Sequence, residues 1–184
     1  MANLEPVDPA TATGKTKDLL DRVQQRSGRI PNMAGAMAHS PAALGGYAAF
    51  ASAFLDGVLA PETRDLIALA VAEAAGDDYT LSAVAALAAR AGRGDADIAA
   101  ARRGEARDAK AEAAISFALR LVEARGHVAD AEVQALRSAG LGDGEIAEIV
   151  AVVVLNLYRS YFNLVARPQI DFPVVRVGAL EAAV

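Results

Sequence analysis

The chain has 184 residues, a formal net charge of −5 and no cysteine or tryptophan, so one domain is expected. The missing cysteines exclude a disulfide framework, a thiolate metal site, an iron–sulfur cluster and a thiol nucleophile. The acidic balance argues against a nucleic-acid partner, whose phosphates need clustered Lys and Arg. Alanine supplies 45 residues and aromatics only 5%. That is the composition of closely packed helices, because alanine loses no side-chain entropy on helix formation while strands favour β-branched and aromatic residues.

Helical punctuation recurs along the whole chain. After an N-terminal extension over residues 1–13, residues 14–27 form a polar amphipathic segment with Leu19, Leu20 and Val23 on one face. Ser40-Pro41 reads as an N-cap followed by proline at the first helical position, and it opens a helix to about Asp56. Pro61 opens the next helix, whose broad apolar face around Leu66, Ile67, Leu69 and Val71 runs to Gly76. Asp77 starts another that stops at Gly92, and a short helix follows Asp95. A long helix is expected over 109–125, then one over 131–139 capped by Asp130, then a last one from a cap at Asp143 to about Ala166. Ile149 to Leu155 has the propensity of a buried strand, but the apolar pattern continues through Leu157, Tyr158, Tyr161 and Phe162 at three- and four-residue steps, so helix is the assignment. This helix reads as the central one or as an oligomer contact. Residues 174–184 read as an extended tail that packs on a neighbour or frays.

The N-terminus lacks a basic segment followed by an apolar run, and a cytoplasmic location is the expectation. Ile30 to Leu55 carries no Asp, Glu, Lys or Arg, but Pro31, Pro41, Gly45 and Gly46 interrupt it, so two short buried helices around a turn are expected rather than a membrane span. Gly14-Lys15-Thr16 lacks the rest of a P-loop, and Arg93-Gly94-Asp95 falls between two helices; both are chance matches.

The run Pro61 to Val84, with Gly28-Arg29-Ile30-Pro31-Asn32-Met33, His39-Ser40-Pro41, Glu123-Ala124-Arg125-Gly126 and Tyr161-Phe162-Asn163, resembles the alkylhydroperoxidase-D-like, carboxymuconolactone decarboxylase superfamily. More narrowly it is similar to the peroxidase-related branch, and the likeness extends over residues 14–173. The resemblance implies an all-α, single-domain, multi-helix bundle that forms a homo-oligomer (dimer, trimer or hexamer) with sites near subunit contacts. In the family's redox motif, Cys-x-x-Cys-x-x-x-His, the two cysteines fall on Asp77 and Thr80 and the histidine on Val84. The upstream acid falls on Asp65, Glu73 matches an acid of the peroxidase-related branch, and a second, C-terminal histidine falls on Leu164. Peroxide reduction needs a thiolate and a resolving thiol, which aspartate and threonine cannot replace.

Two functional expectations follow. One is a cofactor-free acid–base enzyme, acting on a small organic acid or ketone, with Asp77 as base beside Asp65, Glu73 and Thr80. The other is a non-catalytic oligomeric relative, in which Asp77 only caps its helix and Val84 and Leu164 fill the old pocket. A variant engineered to freeze the redox site is a third reading, against which Leu164 argues. No cofactor motif is present, and a metal site would have to rest on the carboxylates of Asp65, Glu73 and Asp77 alone. His39 reads as a packed or rim residue, His127 as solvent-facing, Tyr79, Tyr158 and Tyr161 as packing aromatics, and Asn163 as a core hydrogen-bonding residue.

Overall fold

A computed structural model describes residues 2–179. Among these the chain is helical and has no strand, in agreement with the expected fold class. Nine α-helices follow in order: α1 (Gly14–Ser27), α2 (Asn32–Met37), α3 (Pro41–Ala53), α4 (Pro61–Ala74), α5 (Asp78–Arg90), α6 (Asp95–Arg102), α7 (Ala109–Glu123), α8 (Asp130–Ser138) and α9 (Asp143–Ala166). A short 3₁₀ turn over Phe54–Asp56 follows α3.

The charge-free stretch from Ile30 to Leu55 forms the two helices expected, with the Ser40 hydroxyl accepting from the Ala43 N–H at 3.2 Å and Pro41 opening α3. Two starts differ from the sequence expectation. The N-caps of α8 and α9 are Ala129 and Gly142, while Asp130 and Asp143 are already helical. Glu132 and Glu145 reach back to accept those two backbone N–H groups at 2.7 and 2.9 Å, so each helix start is fixed by a glutamate in its first turn rather than by an aspartate at the cap.

α4 lies at the centre, in contact with α5, α6, α7 and α9. Every residue from Leu66 to Ala72 is buried, as a helix surrounded by other helices requires. The larger core joins α4, α5, α7 and α9. A smaller one gathers Leu20, Met33, Met37 and Leu44 from α1 to α3 around Tyr79 of α5. The first turn of α5 therefore stands where the two cores meet. α9 is the described helix long and apolar enough to cross a membrane, yet Ile149, Val152, Val153 and Leu155 are buried against the bundle, which makes it a core helix.

The segment after α9 folds back along α5. Tyr79 Oη donates to Asp171 Oδ1 at 2.7 Å, the Val175 N–H donates to Ser82 Oγ at 2.9 Å, and the Val177 N–H donates to Asp78 Oδ1 at 2.8 Å. Gly178 N–H reaches Glu73 Oε1 at 2.7 Å. Up to Ala179 the expected loose tail is thus a strap on its own chain; residues 180–184 of that tail lie outside the described residues.

Candidate functional site

The turn between α4 and α5 puts Asp77 in two helices at once. Gly76 adopts φ +71°, the left-handed conformation that glycine takes without a Cβ penalty. Its N–H returns to the Glu73 carbonyl at 3.1 Å and that of Asp77 to the Ala72 carbonyl at 3.2 Å, the paired bonds that close a helix. The Asp77 carboxylate opens the next helix: Oδ1 accepts from the Tyr79 N–H at 3.0 Å.

The other carboxylate oxygen is committed elsewhere. Asn163 of α9 donates Nδ2–H to Asp77 Oδ2 at 3.2 Å and to Thr80 Oγ1 at 3.0 Å. Asp77, Thr80 and Asn163 are 2%, 1% and 3% exposed, which makes this a closed polar cluster between α5 and α9. An ionised Asp77 fixes the amide orientation, because Asn163 must turn its N–H₂ toward the anion. Asn163 Oδ1 then points away from the carboxylate, buried and without a partner. Neighbouring Ser160 Oγ and Arg159 Nε are likewise buried and unpartnered. Neither Asp77 nor Arg159 forms an ion pair among the described residues.

The remaining acids read from the sequence stand apart. Glu73 faces the strap and pairs with Arg102 Nε at 2.8 Å, while half-exposed Asp65 lies 3.6 Å from Arg93. Burial pulls the Asp65 carboxyl above its ordinary value even though Arg93 opposes it. The eight-residue step between them is about 12 Å along α4, and Asp77 lies beyond the reversal at Gly76. Among the described residues no three acidic or histidine side chains converge as a metal site would require. Val84, at the position of the family's histidine, is buried in the larger core, whereas Leu164 is 44% exposed and fills no pocket. His39 sits on the rim, its Nε2 2.8 Å from the Glu5 carbonyl oxygen.

From the sequence, Asn163 is a core residue with no link to Asp77, and Arg159 and Ser160 pass unnoticed. Their signal is the alignment of Asn156, Arg159, Ser160 and Asn163 within about 100° of one helical face, a polar stripe on a helix otherwise apolar there.

Residues 40–124 match the sequence model of the carboxymuconolactone decarboxylase family. No curated protein matches the chain. Among solved structures, an uncharacterized peroxidase-related protein from Ralstonia eutropha JMP134, described as an alkylhydroperoxidase AhpD core, is similar at 24% identity and TM-score 0.78, over 90% of this chain and 92% of that one. A second uncharacterized peroxidase-related protein, from Silicibacter sp. TM1040, is similar at 19% identity and TM-score 0.75, over 97% and 96%. The debrominase Bmp8, as a cysteine-to-alanine variant in complex with 2,3,4-tribromopyrrole, is similar at 19% and 0.76, over 93% and 92%. Residues 40–124 thus resemble the carboxymuconolactone decarboxylase family in sequence, the fold is that of alkylhydroperoxidase-D-like proteins, and the chain contains no cysteine with which to form a Cys-x-x-Cys redox pair.

Proposed function

We propose that this protein is a cofactor-free acid–base enzyme, an isomerase, lyase or decarboxylase of the cytoplasm, acting on a small organic acid or ketone as a homo-oligomer. The observation that carries the reading is the Asp77–Asn163–Thr80 cluster. It is a buried carboxylate without a counter-ion, oriented on both oxygens by neutral donors. Each Asp77 oxygen accepts one hydrogen bond in the structure and keeps capacity for another. In the proposed step Asp77 takes a proton from a carbon next to a carbonyl, and the C–H electron pair passes into the carbonyl to form an enolate. Thr80 Oγ1 accepts from Asn163, so its hydroxyl hydrogen is free to donate to the enolate oxygen. The proton then returns from Asp77 to the product. Glu73 and Asp65, engaged with Arg102 and Arg93, support the scaffold and take no part in this step.

Thiol peroxidase chemistry is excluded by composition. The debrominase among the structural neighbours supports the view that this fold serves reactions other than peroxide reduction.

The test is deuterium exchange into small 2-oxo acids, lactones and ketones in heavy water, followed by proton NMR with wild type and Asp77→Asn. Asparagine caps a helix as well as aspartate does, and with the Asn163 amide turned over to accept from its N–H₂ the variant keeps the fold and loses the base. Exchange that falls about 10²–10⁴-fold supports the proposal; exchange that survives in Asp77→Asn ends it. The non-catalytic reading rests on one observation, that Asp77 does cap α5. It predicts no exchange by either protein.

A further inference from the structure

Arg159 is a half-buried cation that no acidic side chain among the described residues neutralises. Its Nη2 donates to Asn156 Oδ1, but its Nε is sealed from solvent and reaches no acceptor. Its neighbours one turn away on α9 are Leu155, Asn156, Phe162 and Asn163, none of them acidic. On one flank of Arg159 lies Tyr158, whose ring meets Tyr47 of α3 at 6.3 Å, and the whole stretch from Ile30 to Leu55 contains no acid. A guanidinium withdrawn from water without a counter-ion is destabilising for the free protein. Within one turn of it, Ser160 and Asn163 are 0% and 3% exposed, and each holds an unpartnered oxygen.

We propose that Arg159 and Ser160 form the subsite for the carboxylate end of a small organic acid, with Arg159 as its anion-binding residue and the Asn163 amide oxygen beside it. This rests on the Asp77 reading and narrows its substrate class from acid or ketone to acid. Asn163 joins the two halves of the site: its Nδ2 holds Asp77, and its Oδ1 is free to accept from an O–H or N–H of the substrate. The guanidinium supplies charge-assisted hydrogen bonds to the carboxylate, and Ser160 adds a hydroxyl donor.

The experiment titrates ¹⁵N-labelled full-length protein with propionate, and with propionamide as the neutral counterpart, while following the Arg159 Nε–H and Asn163 side-chain amide resonances. Propionate is expected to shift both saturably and propionamide neither. Arg159→Lys weakens binding roughly tenfold, and Arg159→Gln abolishes it. Because an unpaired cation is removed, Arg159→Met raises the Tm of the free protein, and propionate no longer raises it further. If Arg159 is instead a structural residue satisfied by internal water, propionate shifts neither resonance and Arg159→Met lowers the Tm. Either result overturns the proposal. Asp77→Asn separates it from the catalytic reading: propionate still binds that variant if Arg159 holds the carboxylate. Loss of exchange in Asp77→Asn with no propionate binding to wild type leaves the base standing and removes this subsite.

Discussion

Asn163 Nδ2 stands 3.2 Å from Asp77 Oδ2 and 3.0 Å from Thr80 Oγ1, so one amide from α9 aligns two side chains a single turn apart on α5. Replacing that amide separates alignment from chemistry. Asn163→Ala leaves a buried carboxylate with one donor fewer, a loss of about 1–3 kcal/mol. Asn163→Asp places a second acid against Asp77, and like charges at that range destabilise the ionised pair. Urea denaturation is expected to rank wild type above Asn163→Ala, with Asn163→Asp least stable at neutral pH and partly recovered in acid. Equal stability of all three at neutral pH contradicts the assignment.

A second relationship ties α9 to the loop before α4. Glu148 accepts from the Val58 N–H at 2.7 Å and the Leu59 N–H at 2.8 Å, one on each carboxylate oxygen. Glu148→Gln turns one acceptor into a donor facing an N–H, with an expected loss of about 1–3 kcal/mol by denaturant titration. Gly57 permits the clamp, since a Cβ there would come within 2.5 Å of Glu148 Oε2. Gly57→Ala is therefore expected to weaken the same contact. The two substitutions together should cost less than the sum of each alone.

The strap carries a pH dependence of definite sign. Burial is the largest single influence on Asp78 and pulls its carboxyl up, but the Val177 N–H and the Arg176 guanidinium together outweigh it, leaving the carboxyl below its ordinary value. A carboxyl lowered by folding adds stability that is present above its unfolded pKa, about 3.9, and is lost as pH falls through the folded value. Wild type should therefore lose Tm more steeply than Asp78→Asn as the pH falls below about 4. The Val177 amide resonance should move over the same range. Parallel Tm curves would show that the Asp78 contacts contribute nothing.

Much of this architecture is written in local chemistry. Ser40-Pro41, Pro61 and Gly76-Asp77 mark helix ends through hydroxyl caps, fixed φ and positive φ, which act within a few residues of themselves. The starts of α8 and α9 lie one residue earlier than the aspartates suggest because Glu132 and Glu145 accept the N–H groups of Ala129 and Gly142 and fix the caps there. The site was legible where it is local: Asp77 and Thr80 share the first turn of α5. Grouping Asp65 and Glu73 with them failed because the reversal at Gly76 sends α5 on a new course while both acids stay with α4. Asn163 lies more than eighty residues away in sequence, and only the packing of α9 on α5 brings it to Asp77. Arg159 becomes conspicuous only once the charge-free helices α2 and α3 are seen to flank α9.

The outer face of α9 bears on the proposed oligomer. Val150, Val154, Tyr158, Tyr161 and Val165 follow one another at three- and four-residue steps and are 38–66% exposed, opposite the stripe of Asn156, Ser160 and Asn163. An apolar row about 22 Å long on a monomer surface is of the kind that marks an interface. A second copy of the same helix offers it a self-complementary partner, as two-fold pairing requires. Val154→Glu and Tyr161→Glu each place an uncompensated charge in the middle of that face. Light scattering after size exclusion is expected to find wild type larger than a monomer and both variants monomeric. Leu87→Glu, at an equally exposed apolar residue on α5, serves as the control and should leave the assembly unchanged. If Leu87→Glu dissociates the protein while the α9 variants stay assembled, subunits meet through α5 and this face of α9 lies free.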